Sequence, residues 1–186
     1  MPEYVISGAG NYIRDIDITE QIIIQSEYLR NKKFESIPVY SQIEELLDRK
    51  AYLIDIFPKT VPQKTDGRYF AVEKFFQQNR SDIERKLTAV IMKLYCYYDL
   101  TIVIEDGITE NPQVEELIVL LEECFSGELG YINIVLPECE AMLSLNYGDL
   151  YMTSYNVSGE LKDLLSQLVS AEGLFFYEAP LDSNGE

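Results

Sequence analysis

Between Tyr131 and Asn156 the chain alternates apolar and other residues across three successive short runs, YINIVL, AMLSLN and LYMTSYN. A period of two is the mark of a pleated strand with unlike faces. The segment Asn146 to Asp149, which contains Gly148, predicts a hairpin turn between the second and third runs. Pleating places Ile132, Ile134, Leu136, Ala141, Leu143, Leu145, Leu150 and Met152 on one face, which must be core. Tyr131, Asn133, Val135, Met142, Ser144, Asn146, Tyr151, Thr153 and Tyr155 share the other, a half-polar tyrosine-bearing face that has to be covered or used for contact.

Helices and further strands flank these runs. LTIVIE, just past Asp99, reads as a buried strand. A helix follows with Asn111 as N-cap, Pro112 at its first position, and Val114, Leu117, Ile118, Leu121 and Phe125 as its apolar stripe. Ser158 starts another helix carrying Leu161, Leu164, Leu165 and Leu168, Gly173 ends it, and LFFYEA is the last strand before a frayed tail. The order β-α-β-β-β-α-β resembles a split βαβ, ferredoxin-like arrangement with one extra strand. That resemblance implies an α+β protein with a mixed sheet flanked by helices and carries no function.

Upstream, EYVIS reads as a strand and Thr19 to about Arg30 as a helix capped by Asp17. Ser41 and Glu44 form a capping box for a helix with Ile43, Leu46 and Leu47 on one face. AYLIDIF is a strand. PKTVPQKTDG, broken by Pro58, Pro62 and Gly67, is the best place for a functional loop. RYFAVEKFFQQ is an aromatic helix, and a second box, Ser81 with Glu84, opens a longer one bearing Leu87, Val90, Ile91, Leu94 and Tyr98.

Charge divides the chain more sharply than structure does. Residues 1–98 hold 14 Lys and Arg against 14 Asp and Glu, whereas residues 99–186 hold Lys162 alone against 18 acids, so the net charge of −17 belongs to the second part. The expected organisation is a charge-balanced α/β half, 1–98, and an acidic α/β half, 99–186, as two lobes or one continuous domain. Such a field repels nucleic acid and anionic lipid and attracts cationic surfaces. No apolar window is long enough to span a membrane, and no basic leader precedes an apolar stretch, so the expected compartment is the cytoplasm. Three cysteines, Cys96, Cys124 and Cys139, lack metal-like spacing and read as thiols.

The chain has no histidine, which removes Ser-His-Asp and Cys-His catalysis and H-E-x-x-H zinc sites and leaves carboxylate chemistry. No catalytic residue, metal site or cofactor is assigned. GAGNYI lacks the third glycine of a dinucleotide turn, the Glu84/Lys86 pair lies on a helix where nuclease chemistry needs a strand, and EDGITEN reads as a strand-to-helix turn. The expected function is that of an acidic intracellular binding protein that docks on or neutralises a basic protein partner, as an immunity protein or DNA mimic does. Glu115, Glu116, Glu122 and Glu123 on one helix, with Tyr131, Asn133, Tyr151, Thr153 and Tyr155 on the sheet, are its expected contact surface. Two alternatives stand beside it. One is a carboxylate-based enzyme, possible with a divalent metal, or a small-ligand binder around Asp55 and the loop 58–67. The other is a subunit of a homo-oligomer whose acidity serves solubility.

Overall fold

A computed structural model describes residues 39–62 and 67–180. All of them belong to one compact unit, Val39–Glu186. The expected strand EYVIS, the helix from Thr19, the GAGNYI turn and the frayed tail lie outside the described residues.

The elements follow the sequence closely: α1 (39–47), β1 (Ala51–Asp55), α2 (Arg68–Gln78), α3 (Arg80–Tyr95), β2 (Thr101–Ile104), β3 (Gly107–Glu110), α4 (Val114–Ser126), β4 (Tyr131–Leu136), β5 (Ala141–Asn146), β6 (Met152–Tyr155), α5 (Gly159–Ala171) and β7 (Phe175–Glu178). The strands form one sheet in the order β3-β2-β4-β5-β6-β1-β7. Every neighbouring pair is antiparallel. The fold is α+β. It departs from the ferredoxin-like order, because β2 and β4 are direct antiparallel neighbours where a split βαβ unit keeps its two strands parallel and apart.

That departure comes from β3. EDGITEN is not a plain turn into a helix: Glu105 and Asp106 make a tight reversal, and Gly107–Glu110 pairs back on β2. Asn111 is therefore not the N-cap of α4, a position held by Gln113. Asn111 takes a left-handed backbone, φ 44°, and its side-chain oxygen accepts the Leu100 N–H at 2.9 Å, while its own N–H donates to the Leu100 carbonyl at 2.7 Å. Asn tolerates that conformation better than most residues, so it closes the open end of the hairpin.

Neither capping box forms. Residues 39 and 40 are already helical, which places Ser41 inside α1. α3 begins at Arg80 behind Asn79, and Glu84 pairs with Arg80 instead of turning back to Ser81. Ser158 does precede α5, and Gly173, at φ 71°, follows its end as expected.

The core follows the alternation. Ile132, Ile134, Leu136, Ala141, Leu143, Leu145 and Met152 are buried with Ile83, Leu87, Ile91 and Leu94 of α3, Leu117, Leu121 and Cys124 of α4, and Leu161, Leu165 and Val169 of α5. Leu150 is partly buried against the same cluster. β1 lies between β6 and β7, so a strand from the charge-balanced half completes the sheet of the acidic half. Lys162, the one base past residue 98, donates to the Tyr52 hydroxyl at 2.9 Å and sits 4.5 Å from that ring's centre.

Candidate functional site

The tyrosine-bearing face of the sheet is divided between two covers. α1 lies over β2, β4 and β5, packing Ile43 and Leu46 on Val103, Val135 and Met142, with Tyr155 partly buried against them. Tyr131 is half-buried, and its hydroxyl is raised above the usual phenol value by that burial and then by the charge of Glu105. Leu47, expected beside Leu46, is instead half exposed.

The same face continues across β6 to β1 and β7, where Leu53 stands between Thr153 on one side and Tyr177 on the other. Here α1 gives way to the segment after β1 and to the start of α2. Together they enclose a cleft of about 490 Å³, lined on its floor by Leu53, Asp55 and Tyr177, on one wall by Ile56, Phe57, Thr60, Val61 and Pro62, on another by Tyr69, Phe70 and Glu73, and at its end by Gly148, Asp149, Leu150 and Tyr151. That volume lies in the range of small-ligand sites. Phe57 holds the walls together, with its ring 6.4 Å from that of Tyr69 and edge-on to Phe76 at 6.0 Å. Gln77 of α2 donates to the Gly148 carbonyl at 3.0 Å, tying the helix to the β5–β6 turn.

Asp55 is the best-held polar group of the cleft. One carboxylate oxygen accepts the Phe57 N–H at 3.1 Å and the other accepts the Tyr177 hydroxyl at 2.6 Å. Burial first, and then the bond and charge of Asp55, push the Tyr177 phenol well above its ordinary value, opposed in part by a hydrogen bond from Thr60. Tyr151 is raised by burial, then by the charge of Asp149 and a hydrogen bond with it. Tyr69 is raised by burial, then by Glu73, Asp55 and Asp149. All three phenols are neutral near pH 7, and their environment holds them more firmly in that form. Asp149 also accepts from the Asn146 side-chain amide at 3.1 Å. Three carboxylates and five aromatic rings thus line the cleft, and none of its described lining residues is Lys or Arg.

The expected contact surface does not assemble as one patch. α4 packs Leu117, Leu121 and Cys124 on the core face of the sheet, opposite the face that carries Tyr131, Asn133, Tyr151, Thr153 and Tyr155. Glu115, Glu116 and Glu122 are exposed on that helix, and Glu123 is half-buried. Glu122 borders a groove shared with Arg80, Glu84 and Arg85 of α3, where the charges are mixed. The structure does bring together Tyr151 of that surface and Asp55 of the alternative site, residues the sequence kept in separate readings. Tyr177, Tyr69, Glu73 and Asp149 were missed. The only signal for Tyr177 is the alternation within LFFYEA, which sets it on the face opposite Phe176, and nothing local reveals that it meets Asp55 from 122 positions away. Among the described residues no group of three or more Cys, Asp or Glu is disposed to hold a metal ion. The three cysteines are free thiols, and no helix among those residues is long and apolar enough to cross a membrane.

No protein-family model, no curated protein and no solved structure matches this chain. The chemistry of the cleft therefore rests on its own residues.

Proposed function

We propose that this protein is a binding module for a basic protein partner, which it engages by receiving a positively charged side chain in the cleft between Asp55, Tyr177 and α2. One observation carries the reading: a concave site of ligand size that joins three carboxylates to five rings with no counter-charge among its described lining. A cation entering it gains from the carboxylates' field and from the aromatic walls. A protein as carrier of that cation is supported by the rim, where Phe70 of α2 is 71% exposed. The field of the acidic half favours approach of a cationic surface and sets no geometry.

The test is calorimetric titration with n-butylammonium, a stand-in for the lysine side chain. Saturable binding is expected that weakens with added salt. At an effective dielectric of about 20, a charge roughly 5 Å from Asp55 gains about 3 kcal/mol, so after screening Asp55→Asn should weaken binding about tenfold or more. Glu115→Gln, on the opposite side of the sheet, is the control for diffuse attraction. Equal losses in the two variants would show that the cation responds to the overall field and not to the cleft.

A further inference from the structure

Resting on that reading, we infer that Glu73 is the carboxylate that accepts the N–H of the partner's basic side chain, while Asp55 acts on that cation through its charge alone. The three carboxylates of the cleft differ in what they already hold. Asp55 has a donor on each oxygen, the Phe57 N–H on one and the Tyr177 hydroxyl on the other. Asp149 accepts from Asn146 and is hydrogen-bonded with Tyr151. Among the described residues Glu73 accepts no hydrogen bond and joins no ion pair, so both of its oxygens are open to a ligand.

Glu73 is held at its backbone and left free at its carboxylate. In α2, Tyr69, Glu73 and Gln77 recur every four residues and so share one side of the helix. The ring of Tyr69 lies beside that of Phe57, which Phe76 also meets edge-on, and Gln77 donates to the Gly148 carbonyl. The turn that carries Glu73 is thereby anchored before and after it, and binding has little more than one side chain left to order. A cation entering beside Tyr69 meets a ring wall and an unspent charged acceptor together. At Asp55 a new donor must share an oxygen with the Phe57 N–H or the Tyr177 hydroxyl. The Asp55–Tyr177 pair is thus a fixed, charged floor, and Glu73 is the group that bonds.

The experiment titrates two probes of equal charge, n-butylammonium and n-butyltrimethylammonium, into the wild-type protein, Glu73→Ala and Asp55→Asn at one ionic strength. The first probe carries N–H donors and the second none. Glu73→Ala should weaken n-butylammonium about tenfold more than it weakens the trimethyl probe, because only the former loses a hydrogen bond to a charged group. Asp55→Asn should weaken both probes by the same factor. Glu73→Gln, which loses the charge and keeps an acceptor oxygen, should discriminate between the probes less than Glu73→Ala does. α2 has no buried residue and alanine is the better helix former, so the fold does not depend on the Glu73 side chain. Equal losses of the two probes in Glu73→Ala, or a larger difference between them in Asp55→Asn, overturn the inference while leaving the cation-binding cleft intact. No binding of either probe to the wild-type protein overturns both.

Discussion

Replacing Leu46 by Ala tests whether α1 is a structural cover of the sheet or a loosely apposed helix. Leu46 is 4% exposed and lies over Val103, Val135 and Met142, all of them buried to 1% or less. Truncation removes three carbons, a transfer loss of roughly 2.4 kcal/mol at about 0.8 kcal/mol per methylene. A cavity term is added where the site does not collapse, and measured Leu→Ala losses in cores span about 2–5 kcal/mol. Because α1 is one helix on an outer face, it can settle inward, so the loss should lie at the low end, about 2–3 kcal/mol. For a domain of this size that lowers Tm by roughly 4–12 °C.

Leu47→Ala supplies the control within the same helix. Its side chain is 50% exposed, and both substitutions exchange one strong helix former for another, so propensity is held nearly constant. Urea unfolding followed by far-UV dichroism should give a midpoint shift for Leu46→Ala at least three times that for Leu47→Ala, with m unchanged. Equal shifts would refute the packing of α1. They would leave the amphipathic pattern of Ile43, Leu46 and Leu47 as a coincidence of sequence.

Alkaline stability follows from the cleft tyrosines. Tyr69, Tyr151 and Tyr177 are raised in the fold, so the unfolded chain loses their protons first, and stability is intact below about pH 10 and declines as pH rises towards the native values. Tyr52, lowered first by its hydrogen bond from Lys162, acts in the opposite sense. Tyr177→Phe should be less stable at pH 7 yet fall less steeply above pH 10, by up to about 1.4 kcal/mol per pH unit, and an unchanged slope in urea midpoints would contradict this. Asn111→Ala should cost about 1–3 kcal/mol through the lost Leu100 bond and its φ of 44°, and Asn111→Gly should recover the backbone part only, as judged by thermal melts. A thiol reagent at pH 8 should modify exposed Cys96 quickly, but Cys124, buried and pushed up to about 11, only after denaturation; rapid labelling of a Cys96→Ser/Cys139→Ser variant, whose one remaining thiol is Cys124, would show an open core.

What the sequence disclosed is what local pattern controls. Alternation at Ile132, Ile134, Leu143 and Leu145 gives the core face because a strand's two sides are determined by parity alone. Helix ends were read less well. Ser41 and Ser81 each stand in a correct capping spacing, yet the helices begin earlier: Val39, ahead of Ser41, already packs on the sheet cluster beneath α1, and α3 starts at Arg80, with only Asn79 between it and the end of α2. β3 was hidden because GITE is short and edge-placed, and its pairing is completed by an Asn whose side chain closes the hairpin. The cleft was half visible. Asp55 at a strand end beside a proline-broken loop is a local feature, whereas Tyr177, Tyr69 and Asp149 reach it only through the order of strands and helices, which a single chain's periodicity does not encode.

The place of β1 in the sheet has a consequence for how the molecule comes into being. Its partners are Met152–Tyr155 on one side and Phe175–Glu178 on the other, about a hundred or more positions later in the chain. During synthesis, the apolar run AYLID leaves the ribosome long before either partner exists and must wait, unpaired and prone to association, while the rest is made. The floor of the cleft is then among the last parts to be assembled. Termination between Ser126 and Met152 yields a chain with four of its five described helices but with neither strand that flanks β1 and without Tyr177, which makes those late strands the step on which closure of the cleft depends.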